Sequence, residues 1–205
     1  MTAQLSSASQ VWMTPDSILW AADACLGGID LDPASCLEAN ARVGAAAWFG
    51  KGGLDKPWHG SVFLNPPGGI QSRADYTSKS QAVQWWCKLA DEYTLGRVKR
   101  GIFVVFAAGS FFQAVQREYV GGSAPWRCPW NHQVCMVSQR LRFLLTVEER
   151  LKMKISKEER ADLLILPTSW MIEGPAPTHA NAIIGVGVNP SLFKKTFSEF
   201  GDVIQ

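Results

Sequence analysis

Asn65-Pro66-Pro67 ends the apolar run Val62-Phe63-Leu64 and is followed by Gly68-Gly69. The run is short and β-prone, so it predicts a buried strand of an α/β sheet. Two prolines cannot donate to a strand ladder and hold the residue before them out of helix, so the strand must stop at Asn65. An amide side chain and its neighbouring carbonyls then stand at the carboxyl edge of a sheet, where open α/β sheets bind ligands. That tip suits an exocyclic aromatic amine, whose lone pair is delocalised into the ring. If the Asn65 oxygen and the Pro66 carbonyl each accept one N–H, the nitrogen can pyramidalise and face an electrophile against preplaced dipoles. The plainer reading is an ordinary strand-ending turn.

The elements that must position this tip follow from local signals. Thr14 can cap a helix that opens at Pro15, with Asp16 in its first turn, Ile18, Leu19, Ala22 and Leu26 on one face, and Gly27-Gly28 as its stop. Asp30-Leu31-Asp32-Pro33-Ala34 predicts a short strand ending in acid, with Pro33 opening the next helix. Asp32 either caps that helix or accepts from an ammonium or ribose hydroxyls of a ligand. Residues 45–49 predict a second strand, and the loop after them delivers Leu54 and Asp55 near the Asn65 strand. Residues 70–79 carry Arg73 and Tyr76 without periodicity and read as a mobile loop.

A helix is expected over residues 80–93, with Val83, Trp86, Leu89, Ala90 and Tyr93 on its apolar face, and a buried strand over residues 101–106. A helix with Phe111, Phe112 and Val115 follows. Strand and helix in alternation indicate a doubly wound α/β sheet with helices on both faces. Residues 121–139 read as an excursion. Residues 140–145 alternate as a strand with Arg140 and Arg142 on one face, suited to phosphates or base edges, or simply solvated on a sheet edge. Residues 146–162 form a charged helical insert, residues 163–166 and 182–188 two closing strands, and residues 191–200 a last helix.

Composition sets limits. A chain of 205 residues with 47% hydrophobic and 19% charged residues is globular and reads as one domain, with an excursion and charged insert at about residues 121–162. A net charge of only +2 means that a polyanion must be met by a local basic patch. Five cysteines and a polar, Ser-rich start fit a reducing cytoplasm, and no apolar run reaches the length of a membrane span. Cys128, His132 and Cys135 match no standard zinc spacing, so no metal is expected.

The order Trp12-x-Thr14-Pro15, Asp30-x-Asp32-Pro33-Ala34-Ser35, Pro57-Trp58-His59-Gly60, Asn65-Pro66-Pro67 and Arg140-x-Arg142-Phe143 resembles the phage and prophage Dam-like DNA N6-adenine methyltransferases. The likeness covers roughly residues 11–145. It implies a Rossmann-like sheet, S-adenosylmethionine as methyl donor and adenine in DNA as acceptor, in a bacterial host cytoplasm. By position it implies donor contacts from Trp12, Thr14, Pro15, Asp30, Asp32, Pro33, Ala34 and Asp55, and catalysis at Asn65, Pro66 and Pro67. The Asp55 match is loose, because the family often has Asp before Gly-Leu, where Gly52 stands here. Gly68, Tyr76, Arg140 and Arg142 fall on the DNA side. Family members often carry Tyr or Phe where this chain has Gly68, so Tyr76, Phe111 or a tryptophan must wall a flipped base. Two other readings remain: a non-catalytic DNA-binding relic, or methylation of cytosine N4 or a protein glutamine.

Overall fold

The structure is a computed structural model that describes residues 12–76, 78–119, 124–175 and 178–204. The Ser-rich start, Thr77 and the first part of the 121–139 excursion lie outside those residues. In chain order the elements are α1 (Asp16–Leu26), β1 (Leu31–Asp32), α2 (Leu37–Val43), β2 (Ala47–Trp48), β3 (Gly60–Leu64), α3 (Gln81–Thr94), β4 (Val98–Val105), α4 (Ala108–Tyr119), β5 (Gln133–Val137), β6 (Leu144–Thr146), α5 (Val147–Lys152), α6 (Lys157–Leu164), β7 (Met171–Glu173), β8 (Ala182–Val186), α7 (Pro190–Phe197) and β9 (Gly201–Ile204).

Seven strands form one mixed sheet in the order β2-β1-β3-β4-β8-β5-β9. The first four are mutually parallel, and β8, β5 and β9 each run antiparallel to their neighbours. The period-2 alternation of strands sorts side chains to two cores. Val62, Leu64, Phe103, Val105 and Ile184 pack with α3 and α4 on one face. Phe63, Ile102, Val104 and Ile183 pack with α1 and α7 on the other. On the α3 face Trp86 meets Phe103 and Phe111 edge-on, at 5.5 and 6.2 Å between ring centroids.

Helix α1 stops where expected. Gly27 takes a left-handed φ of 66° and its N–H returns to the Asp23 carbonyl. Its start differs from the sequence reading, since Pro15 is the cap residue and no side chain caps the helix. Thr14 instead packs inside, at 4% exposure. Pro33 does not open α2 either. Cys36 does, with its sulfur accepting the Ala39 N–H.

The loop between β2 and β3 runs over the surface but sends Leu54 and Trp58 into the core. Trp58 is fully buried, donates its indole N–H to the Gly53 carbonyl at 2.8 Å and stacks on Trp85 at 5.6 Å. A Cβ at Gly53 would overlap the Pro33 carbonyl and the Trp85 ring. Gly53→Ala is therefore expected to cost about 1–3 kcal/mol through overpacking, read as a lowered midpoint in chemical denaturation.

The carboxyl-terminal half departs most from expectation. Residues 140–143 carry no ladder, and only β6 pairs, with β7, in a separate two-stranded sheet. Residues 163–166 are not a strand, because Leu163 and Leu164 finish α6. The charged insert is two helices, each opened by its own cap, Thr146 and Ser156. β5 and β9 were not anticipated. β5 is inserted between β8 and β9 by pairings with residues far along the chain. Among the described residues no helix is long and apolar enough to cross a membrane.

Candidate active site

From β1 the chain turns outward to β2, then crosses back to lay β3 on the other side of β1. The carboxyl ends of β1 and β3 thus flank the point where the winding reverses, the crevice in which open α/β sheets bind ligands. Asp32 ends β1 and Asn65 follows β3, with Leu31 in register with Val62. Strand spacing and rise place their Cα atoms about 8 Å apart.

Asn65 is half-buried and its orientation is set by one bond. Its side-chain nitrogen donates to the Trp12 carbonyl at 2.9 Å. A carbonyl demands a donor, so the amide oxygen is the free end. Among the described residues no donor reaches that oxygen or the Pro66 carbonyl. Pro66 and Pro67 are half-buried beside it and contribute no N–H. The tip therefore presents two free acceptor oxygens.

Asp32 is 3% exposed and has no cationic partner among the described residues. The Ala34 N–H donates to it at 3.2 Å. Burial pushes its carboxyl up to about 6, while hydrogen bonds from Ser35 and Ala34 hold it back. A buried carboxylate with spare acceptor capacity fits a ligand ammonium or a pair of hydroxyls. Pro33 is buried and Ala34 half-buried beside it.

The other expected residues fall in distinct places. The Thr14 carbonyl accepts from Arg42, which also binds Asp16 at 2.5 Å. Asp30 is exposed, and its carboxylate accepts the Ser61 N–H at 2.7 Å, which engages it with the sheet. Asp55 is ion-paired to Arg73 of the β3–α3 loop. Tyr76 is half-buried against the α3 core, with its phenol pushed up to about 12 chiefly by burial, so it is a neutral hydroxyl. Arg140 and Arg142 are exposed while Leu141 and Phe143 are buried, so the alternation holds without a ladder; Arg142 lies 3.3 Å from Glu173.

Phe111 cannot wall a base, since it is 3% exposed within the α3 core. The rings close to the Asn65 contact are Trp12 and Phe106, 6.5 Å apart, with Phe143 behind Phe106 at 5.3 Å. Gly68 is open, with nothing within 4 Å of the place a Cβ would take. Of the possible zinc ligands, Cys135 is buried in the core and His132 lies edge-on to Trp86 and Tyr93. Among the described residues no group of three such side chains gathers.

Sequence reasoning missed Asn181. Fully buried, it accepts the Leu141 N–H at 2.9 Å and donates to the Phe106 carbonyl at 2.8 Å, joining the β4 tip to the arginine segment. Its only signal is a polar residue directly before an apolar strand. A cavity of about 430 Å³ opens beside Met13, between Arg42, Thr146, Ser169 and Met171; neither Asn65 nor Asp32 is among its walls. No protein-family model, no curated protein and no solved structure matches this chain.

Proposed function

We propose that the protein is an S-adenosylmethionine-dependent methyltransferase acting on an exocyclic amine, with N6 of adenine in DNA as the acceptor. The observation that carries this reading is the Asn65 side chain, pinned through its nitrogen to Trp12 so that its oxygen and the Pro66 carbonyl stand free at the reversal of the sheet. The ordered motifs from Trp12 to Phe143 support the same reading.

When bound, S-adenosylmethionine would supply an electrophilic methyl group, its S–CH3 bond breaking with the electron pair kept on sulfur so that neutral S-adenosylhomocysteine leaves. Asp32 fits the donor's ammonium or ribose hydroxyls, because it is a buried acceptor with no cationic partner among the described residues. Pro33 and Ala34 line its approach. Asn65 and Pro66 accept the two amine hydrogens, which localises the nitrogen lone pair and stabilises the positive charge that develops as the new N–C bond forms. The surplus proton on nitrogen leaves to solvent. Arg140 and Arg142, both exposed, serve to hold the DNA backbone.

The test is calorimetry with S-adenosylhomocysteine, followed by mass spectrometry of nucleosides from DNA incubated with protein and donor. Binding of the donor product together with methylated adenine supports the reading. Binding without methylated adenine, but with methylated cytosine or glutamine, moves the acceptor. The empty position at Gly68 favours considering glutamine among these, since nothing there demands a planar ring. Absence of donor-product binding leaves a DNA-binding relic.

Gly68 also gives a gain-of-function test. Its φ lies outside the left-handed region and its Cβ position is open, so Gly68→Tyr should change stability by less than about 0.5 kcal/mol. A ring there should strengthen binding of DNA containing the target base by about 1–3 kcal/mol, the usual worth of base–aromatic stacking. Fluorescence anisotropy measures the change in Kd, and no gain would mean that the acceptor does not stack at this position.

A further inference from the structure

We infer that Ile70 is an apolar wedge that enters the base stack of duplex DNA while the acceptor base is held at Asn65; the inference rests on the reading above. Ile70 is 77% exposed, five residues beyond Asn65. An extended chain of that length spans at most about 17 Å, so the side chain lies within a few base-pair steps of the tip.

The segment that carries Ile70 is fixed. It forms the first arm of a short hairpin, with Ile70 opposite Ser80, the Gln71 N–H donating to Lys79 and the Gln81 N–H to Gly69. Two side chains from α3 hold the hairpin down. The Gln81 amide donates to the Gly68 carbonyl at 3.0 Å. Gln84, fully buried, donates to the carbonyls of Gln71 at 2.6 Å and Ser78 at 2.8 Å. The two bonds from the Gln84 nitrogen tie the loop to α3 and offset part of the cost of burying that amide, whose oxygen meets no partner among the described residues. The far end of the loop is tied again through Arg73 to Asp55.

An apolar branched side chain is thus held out on a rigid backbone, and Gly68 and Gly69 beside it offer nothing to shield it. Drawing a base out of a duplex leaves a gap and costs unstacking energy, which an inserted apolar side chain offsets. A wedge on a rigid arm loses little entropy on insertion. Lys79, exposed across the hairpin, supplies a cation for the adjoining phosphate. A single strand has no gap to fill.

The experiment compares wild type, Ile70→Ser and Ile70→Leu on plasmid DNA lacking methylated adenine, used as duplex and after heat denaturation. Methylated adenine is counted by mass spectrometry. On duplex the Ser variant should fall at least about tenfold in initial rate, since unstacking is no longer offset. On denatured DNA it should match wild type, and the Leu variant should recover most of the duplex rate. A Ser variant as fast as wild type on duplex, an equal fall on both substrates, or wild-type activity confined to single strands each overturns the wedge and leaves methyl transfer standing. No methylated adenine from wild type on either substrate overturns adenine in DNA as the acceptor instead, and the wedge with it.

Discussion

Asn65→Ala is expected to lower methyl transfer by about 10²–10³-fold, the usual loss when one preorganised group facing a developing charge is removed. The fold should survive, because the substitution forfeits one half-buried hydrogen bond to Trp12, worth about 1 kcal/mol. Donor-product affinity should stay within about twofold of wild type, because in the proposed reaction Asn65 meets the acceptor and not the donor. Single-turnover kinetics with saturating donor separates the two quantities. Asn65→Asp should fall between wild type and alanine. It keeps an acceptor oxygen but loses the N–H that binds the Trp12 carbonyl and sets the direction of that oxygen. An alanine variant as active as wild type would remove the Asn-Pro-Pro tip from the chemistry.

Asp32→Asn should move stability and function in opposite directions. Burial raises the Asp32 carboxyl from its ordinary range to about 6, so the folded protein holds a proton that the unfolded chain releases near pH 4. The sign follows from linkage. Between about pH 4 and pH 6 the native state binds more protons than the unfolded one, so stability falls as pH rises through that window and levels off above it. At pH 7 the ionised, unpaired carboxylate costs on the order of 2–3 kcal/mol. Asp32→Asn should recover much of that cost, raise the denaturation midpoint at pH 7 and flatten the slope between pH 4 and pH 6.

The same substitution should weaken S-adenosylhomocysteine binding by about 10–100-fold, as expected for loss of a charged hydrogen-bond acceptor worth about 1.5–3 kcal/mol. Wild-type affinity should decline below pH 6 as Asp32 takes up its proton, and the variant should lack that decline. Calorimetry at pH 5 and pH 7.5 measures both. A variant that is less stable at pH 7, or that binds the donor product as tightly as wild type, would show that Asp32 has a structural partner instead of a ligand.

Much of the site's frame was legible from local signals. The prolines after Leu64 end β3, the apolar run at residues 102–105 makes β4, and Gly27 stops α1, because each of these effects needs only neighbouring residues. Asp32 and Asn65 could be placed at strand tips for the same reason. Their adjacency depends on β1 lying beside β3, which the alternation of strand and helix suggests but does not impose. The sequence was misleading where a local pattern had a remote partner. Arg140 to Phe143 alternate like a strand, yet Leu141 is held by Asn181, 40 residues away, and no ladder forms. Thr14 and Pro33 look like helix openers, but packing carries Thr14 inside and Cys36 takes the cap.

By itself, then, the chain determined a rigid acceptor-rich strand end and one acid, Asp32, at a second strand end, whereas Asp30 precedes β1 and binds Ser61 at the amino end of β3. Only the tertiary structure decided which way the Asn65 amide points, since its partner at Trp12 lies 53 residues upstream. It likewise decided that Asp32 has no counter-ion among the described residues, that Phe111 belongs to the core, and that Gln84 pins the loop bearing Ile70. Turns and periodicity are written in adjacent residues, whereas the satisfaction of a buried polar group depends on whichever distant backbone the folded chain brings against it.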